Sequence, residues 1–142
     1  MVTPADAEAV YRAYIAGENE RDRAAMEACL SETMSVAING VAQLADRDAD
    51  AEATDRLLAM YPDYRRGVVD LHVVYDADHV DHHADHAIVV AEWTMRGRSA
   101  TGDVPDLDTA GCTIATIAEV DGRPVITKAR LYLDPAALSH VL

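Results

Sequence analysis

Residues 110–138 read AGCTIATIAEVDGRPVITKARLYLDPAAL, and the fold turns on how they are parsed. Two runs rich in Ile, Val, Thr and Ala flank Asp121, Gly122, Arg123 and Pro124. Strand formers on either side of a Gly- and Pro-bearing turn predict a β-hairpin, one strand over 110–120 and the next over 125–133. Asp134 then precedes Pro135, a cap residue followed by a proline suited to a first helical turn. That pair predicts a short terminal helix.

Working back along the chain, 87–95 (AIVVAEWTM) is apolar at both parities, as in a strand covered on both faces. Residues 68–75 (VVDLHVVY) alternate as another strand. The first half has a different period. Thr3 and Pro4 open a helix, Asp6 and Glu8 place negative charge in its first turn, and Ala7, Val10, Tyr11, Tyr14 and Ile15 recur at helical spacing. Asn19 caps a second predicted helix through Leu30, with Met26, Cys29 and Leu30 inward. A short strand (MSVAI, 34–38) runs into an Asn39–Gly40 turn. A third helix is predicted over 47–61, stopped by Pro62. Three helices with one inserted strand, followed by a strand meander, predict one α+β domain over 1–142 with its helices on one face of a curved, mostly antiparallel sheet.

Composition narrows the partners. The chain has 142 residues, half of them apolar, with no Phe. Its net charge is −13 and its one lysine is Lys128, which argues against nucleic acid and against an anionic membrane surface. Cys29 and Cys112 are too few for a disulfide framework and predict reduced thiols. With no apolar run of membrane-spanning length and no signal-like start, a cytoplasmic protein is expected.

Three segments carry a family resemblance: YPDYR at 61–65, VVAEWTMRG at 89–97 and DGRPVITKARLYLDPAAL at 121–138. In order and spacing the chain resembles the SnoaL-like polyketide cyclases of the nuclear-transport-factor-2-like superfamily over 10–142. The resemblance implies a cone-shaped fold, with three N-terminal helices on the concave face of the sheet around a largely apolar pocket. It implies cofactor-free acid–base chemistry by an isomerase, cyclase or dehydratase on a hydrophobic, polyketide- or terpenoid-like substrate. It also implies a homodimer through the convex sheet face, where Asp70, His72, Glu92, Arg130 and Tyr132 share parity. A non-catalytic ligand-binding module of the same shape is the alternative.

The familiar acids of the superfamily are not at their places. Tyr14 falls where ketosteroid isomerases carry an oxyanion-stabilising tyrosine, but their general-base aspartate falls near Ile38 or Asn39 and their strand acid near Ile114. The Arg–Asp pair of epoxide hydrolases falls on Trp93 and Met95, and its partner aspartate on Leu131. The remaining candidates come from residue chemistry and parity. Tyr14 and Asn39 would hold a substrate oxygen, and Asp108, of the loop acids Asp103, Asp106 and Asp108, would move a proton. Trp93 and Met95 would form an apolar wall, with Cys112 facing the same way and Tyr61, beside Asp63 and Tyr64, at the opening. These residues are expected to line one cavity. The histidine-rich stretch DADHVDHHADH at 76–86 reads as a solvated hairpin tip. A metal site needs ligands fixed in geometry by a second shell, so neither metal nor cofactor is assigned to it.

Overall fold

A computed structural model describes residues 2–74 and 86–141. Helix α1 (Pro4–Glu20) begins with a reciprocal capping box: the Thr3 hydroxyl accepts from the Asp6 amide and the Asp6 carboxylate accepts from the Thr3 amide. It ends at Arg21, whose φ of 58° breaks the helical path. Helix α2 (Arg23–Ala28) is therefore capped by Asp22 and not by Asn19. Asn19 belongs to the last turn of α1, where its side-chain amide exchanges two 2.8 Å hydrogen bonds with the backbone of Arg66.

Strand β1 (Leu30–Ile38) starts earlier than the sequence pattern suggests. Asn39 and Gly40 take φ of 51° and 83°, the left-handed pair of a tight hairpin, and lead into β2 (Val41–Leu44). The sequence reading has no β2, because four mostly exposed residues show no alternation. Helix α3 (Arg47–Met60) is capped by Asp46 and stops just before Pro62, as predicted. The remaining strands are β3 (Arg65–Val74), β4 (His86–Gly97), β5 (Leu107–Val120) and β6 (Arg123–Leu133).

The expected terminal helix does not form. After Asp134 the chain makes successive turns in which the carbonyls of Asp134, Ala136 and Leu138 each accept from the amide three residues on. So short a segment cannot nucleate a stable helix alone, and burial of Leu138 and Val141 sets its path.

The strands form one sheet in the order β2-β1-β6-β5-β4-β3. All neighbours are antiparallel except β1 and β6, which run parallel and make the sheet mixed. Its helix-covered, concave face carries Val89, Ala91, Trp93 and Met95 of β4 and Thr113, Ala115 and Ile117 of β5, all buried. From α1, Ala7, Tyr11, Ile15 and Glu18 pack down on it at helical spacing. Trp93 pairs with Gly111 across the β4–β5 ladder. A Cβ on Gly111 would stand 2.6 Å from the indole, so only glycine lets the ring lie flat on β5. Among the described residues no helix is long and apolar enough to cross a membrane.

Candidate active site: a carboxyl–phenol pair on an apolar cavity

Helix α3 enters the core through one stripe, Asp50, Ala53, Thr54 and Leu57, all buried. Opposite it, α1 presents Tyr11 and Tyr14. Between these helices and strands β1, β5 and β6 lies a cavity of about 90 Å³. Leu30, Met34, Val36, Leu57, Ile126 and Leu131 give it an apolar wall, and Tyr11, Tyr14, Asp50 and Thr113 bring polar atoms to it.

Asp50 is the chemically unusual member. Its side chain is buried, and the Tyr14 hydroxyl donates to its Oδ2 at 3.0 Å. Desolvation pushes the Asp50 carboxyl up to about 6, with the Glu18 charge adding to the rise, while the Tyr14 hydrogen bond and Arg66 oppose it. Burial, and next the Asp50 charge, hold the Tyr14 phenol well above its usual range, so it stays a proton donor. Tyr11 is 2% exposed, and its hydroxyl makes no well-formed hydrogen bond, with the Thr113 hydroxyl as its polar neighbour. A buried donor left unpaired costs about 1–3 kcal/mol, so this group is primed for a ligand oxygen.

A second polar cluster lies further along α1. Glu18 accepts from Arg66 through both carboxylate oxygens, and the Tyr64 hydroxyl shares Oε1 with the Arg66 Nε at 3.0 Å. The guanidinium also stands 5.2 Å from the centre of the Trp93 ring. Burial works against the Arg66 charge, but Glu18, then Tyr64 and Tyr11, more than restore it. Both Glu18 oxygens, the Tyr64 hydroxyl and the Arg66 Nε and Nη2 are paired within this cluster, and none of its three residues lines the cavity.

Of the residues expected to line one cavity, the structure places only Tyr14 there. Trp93 and Met95 do face the concave side but stand behind the wall; the Trp93 indole donates to Thr113 Oγ1 at 2.8 Å, and Thr113 is the residue that reaches the cavity. Cys112 and Asp108 have the opposite parity. On β5 the buried positions are Leu107, Thr113, Ala115 and Ile117, so Asp108 and Cys112 belong to the convex side. Asp108 is exposed and lies 3.5 Å from exposed Arg96. Asn39 is exposed as well. Its amide makes bonds of 3.0 and 3.1 Å with the backbone of Leu133, which ties the turn to β6 instead of facing a ligand. Tyr61 is buried with its hydroxyl on the Pro105 carbonyl at 3.1 Å, beside a shallow outer groove that includes Asp108.

Asp50, Tyr11, Glu18 and Arg66 had no role in the sequence reading, yet two of them left a trace in it. Asp50 precedes Ala53, Thr54 and Leu57 at helical spacing, and Glu18 extends the Tyr11–Ile15 stripe. A charge on the apolar stripe of a helix is the signal that finds both.

Of the histidine-rich stretch, 76–85 lies outside the described residues and His86 opens β4. Among the described residues no group of His, Cys, Asp and Glu could hold a metal ion.

No protein-family model and no curated protein matches the chain. Solved structures do. A hexachlorocyclohexane dehydrochlorinase, LinA-type3, from Novosphingobium barchaimii superposes with a TM-score of 0.75 at 11% identity, over 92% of this chain and 85% of its own. A putative scytalone dehydratase from Novosphingobium aromaticivorans gives 0.73 at 14% identity, over 92% and 83%. An uncharacterised protein with a cystatin-like fold from Caulobacter vibrioides gives 0.74 at 14% identity, over 96% and 92%. At such identities the likeness is one of fold. This chain has a cystatin-like fold, in keeping with the α+β architecture of helices on a curved sheet that the sequence predicted.

Proposed function

We propose that this protein is a small-molecule enzyme that removes a proton from carbon without a cofactor, in an isomerisation or an elimination. The observation that carries the reading is Asp50: a buried carboxyl at the edge of an apolar cavity, with its proton affinity raised to about 6. A base is most effective when its pKa lies near the working pH, and burial has moved this one toward neutrality. Asp50 takes the proton. Tyr14, whose single O–H is given to Asp50, orients the carboxylate and leaves the other oxygen for the substrate. Tyr11 donates its unpartnered O–H to the oxyanion or leaving group as charge develops. In this assignment the oxyanion role moves from Tyr14 to Tyr11, and the proton-transfer role from Asp108 to Asp50.

A dehydrochlorinase and a putative dehydratase of the same fold support an elimination, in which a base and a leaving-group donor work together. The cavity also bounds the substrate. An engineered cavity of about 150 Å³ takes benzene, so about 90 Å³ holds less than one full six-membered ring. A polyketide or terpenoid could place only one end here.

The test follows proton exchange of acetone, a ketone small enough for the cavity, in D2O by NMR. Catalysed exchange is expected, rising with pH through an apparent pKa near 6, lost in Asp50→Asn and unchanged in Asp108→Asn. Saturable binding of acetone with no exchange above buffer would favour the ligand-binding module instead. Exchange that survives in Asp50→Asn would remove Asp50 from the mechanism.

A further inference from the structure

Behind Asp50, between α2 and α3, lies a second hollow of about 210 Å³. It is lined by Arg21, Arg23 and Arg47, three of the twelve basic residues of a chain with net charge −13. Arg23 is neutralised by Asp55. The other two are not closely paired. Arg21 spends its donors on the carbonyls of Asn19 and Pro62. Arg47 comes no nearer than 3.8 Å to Glu32, whose own side chain is 84% exposed, and the Arg47 Nε is buried with no partner. Of the three acids on the same wall, Asp55 is taken by Arg23, while Glu27 and, when ionised, Asp50 oppose an anion, so the groove suits at most a single anionic group and not a polyanion. Leu30, Asp50 and Thr54 line both this groove and the apolar cavity, so only their side chains divide the two.

We infer that the groove holds a carboxylate head on the substrate, gripped by Arg47 with Arg21 nearby, while the apolar end of the same molecule enters the cavity beside Asp50. This deepens the proposed function and rests on it for the word substrate. The Arg47 side chain is about a quarter exposed while its Nε is buried, so the guanidinium reaches a carboxylate in the groove through its Nη groups. The substrate class is thus an amphipathic monocarboxylic acid. Its head is fixed on one side of Asp50 and its reacting carbon is delivered on the other. The small cavity is then no obstacle, because it needs to receive only the apolar end.

The experiment compares straight-chain carboxylates from butanoate to octanoate with the alcohols of the same length, by calorimetry and amide chemical-shift mapping. Affinity should rise about threefold to fourfold per added methylene until the cavity is full. Octanoate should bind at least tenfold more tightly than octanol, with shifts on α2 and α3. Arg47→Gln should abolish that preference without weakening octanol, and Arg47→Lys should restore part of it, which a variant that merely unfolds would not do. The preference should be kept or increased in Asp50→Asn, so failure of the catalytic reading leaves this result standing. Equal affinity for acid and alcohol, a preference that survives Arg47→Gln, shifts confined to another face, or no saturable octanoate binding would each overturn the inference.

Discussion

Two buried polar clusters hang from the same helix, and they treat their hydrogen bonds in opposite ways. Around Glu18, the carboxylate, the Arg66 guanidinium and the Tyr64 phenol use one another up, and Trp93 closes the remaining face of the guanidinium. Around Asp50, one oxygen is engaged by Tyr14 and the other is free, and the Tyr11 hydroxyl has only Thr113 beside it and no well-formed bond, all among residues that line the cavity. Both clusters carry charge into a core and both involve α1. The first answers its desolvation from within, which is what a structural clamp must do. The second leaves valences open toward a cavity. Burial alone therefore does not mark a site; burial with unmet hydrogen bonds beside free volume does.

The sharpest way to break this comparison is at Arg66. Removing one partner of a buried ion pair strands the other, so Arg66→Met should cost about 3–5 kcal/mol in urea unfolding. A double variant, Glu18→Leu with Arg66→Met, should lose less than the sum of the two single changes, since an apolar pair needs no compensation. If Arg66→Met keeps full stability and loses proton exchange instead, the clamp and the site have been assigned the wrong way round.

A somewhat smaller effect, of opposite sign, is expected at Asp50. Its carboxyl titrates near 6 in the folded chain and near 3.8 unfolded, so the folded state holds the proton more tightly. That contribution is fully present below pH 4, falls away as pH rises to about 6, and is absent above. Converted at about 1.4 kcal/mol per unit, the loss is about 2–3 kcal/mol. Asp50→Asn should lack this slope and be more stable than wild type at pH 7 by a similar amount. The other acids contribute to both proteins, so the difference between the two pH profiles is the quantity to read. A flat difference would mean that Asp50 is solvated.

The least change is expected at Tyr11. Its hydroxyl has no well-formed bond in the resting state, only Thr113 beside it, so Tyr11→Phe should be neutral or up to about 1 kcal/mol more stable by thermal unfolding, while acetone exchange slows. A clear loss of stability would show that the hydroxyl is already satisfied, and the two clusters would then be alike.

Much of this architecture was legible in the sequence, because helix and strand periods differ and caps and prolines punctuate them. Thr3 marks the start of α1 and Pro62 the end of α3 almost to the residue. The site was far less legible, and β5 explains why. Cys112 and Ile114 on one face are as apolar as Thr113 and Ala115 on the other, so hydrophobicity cannot tell which parity faces the helices. Reading it one residue out of phase turned Asp108 and Cys112 inward. Asp50 escaped notice because acids are abundant along α3, with Asp48, Glu52 and Asp55 close by, and its separate fate comes only from its place on the stripe of Ala53, Thr54 and Leu57. Tyr11 could be read as inward, but no sequence pattern reports that a hydroxyl will lack a partner.

The parallel pairing of β1 with β6 has a consequence for how the molecule is born. Asn39 is tied to Leu133, 94 positions later, and the central seam of the sheet cannot close before β6 exists. At about 5–20 residues per second on the ribosome, Leu30, Met34 and Val36 wait on the order of 5–20 s without their β6 neighbour, with β2 alone able to pair on the other side of β1. So distant a pairing also has a high loop-closure cost and slows the final folding step. The cavity wall is thus the last part of the protein to be completed. Nascent chains that stop short of β6 should present an open, apolar β1 edge to chaperones, at the place where the finished protein has its cavity.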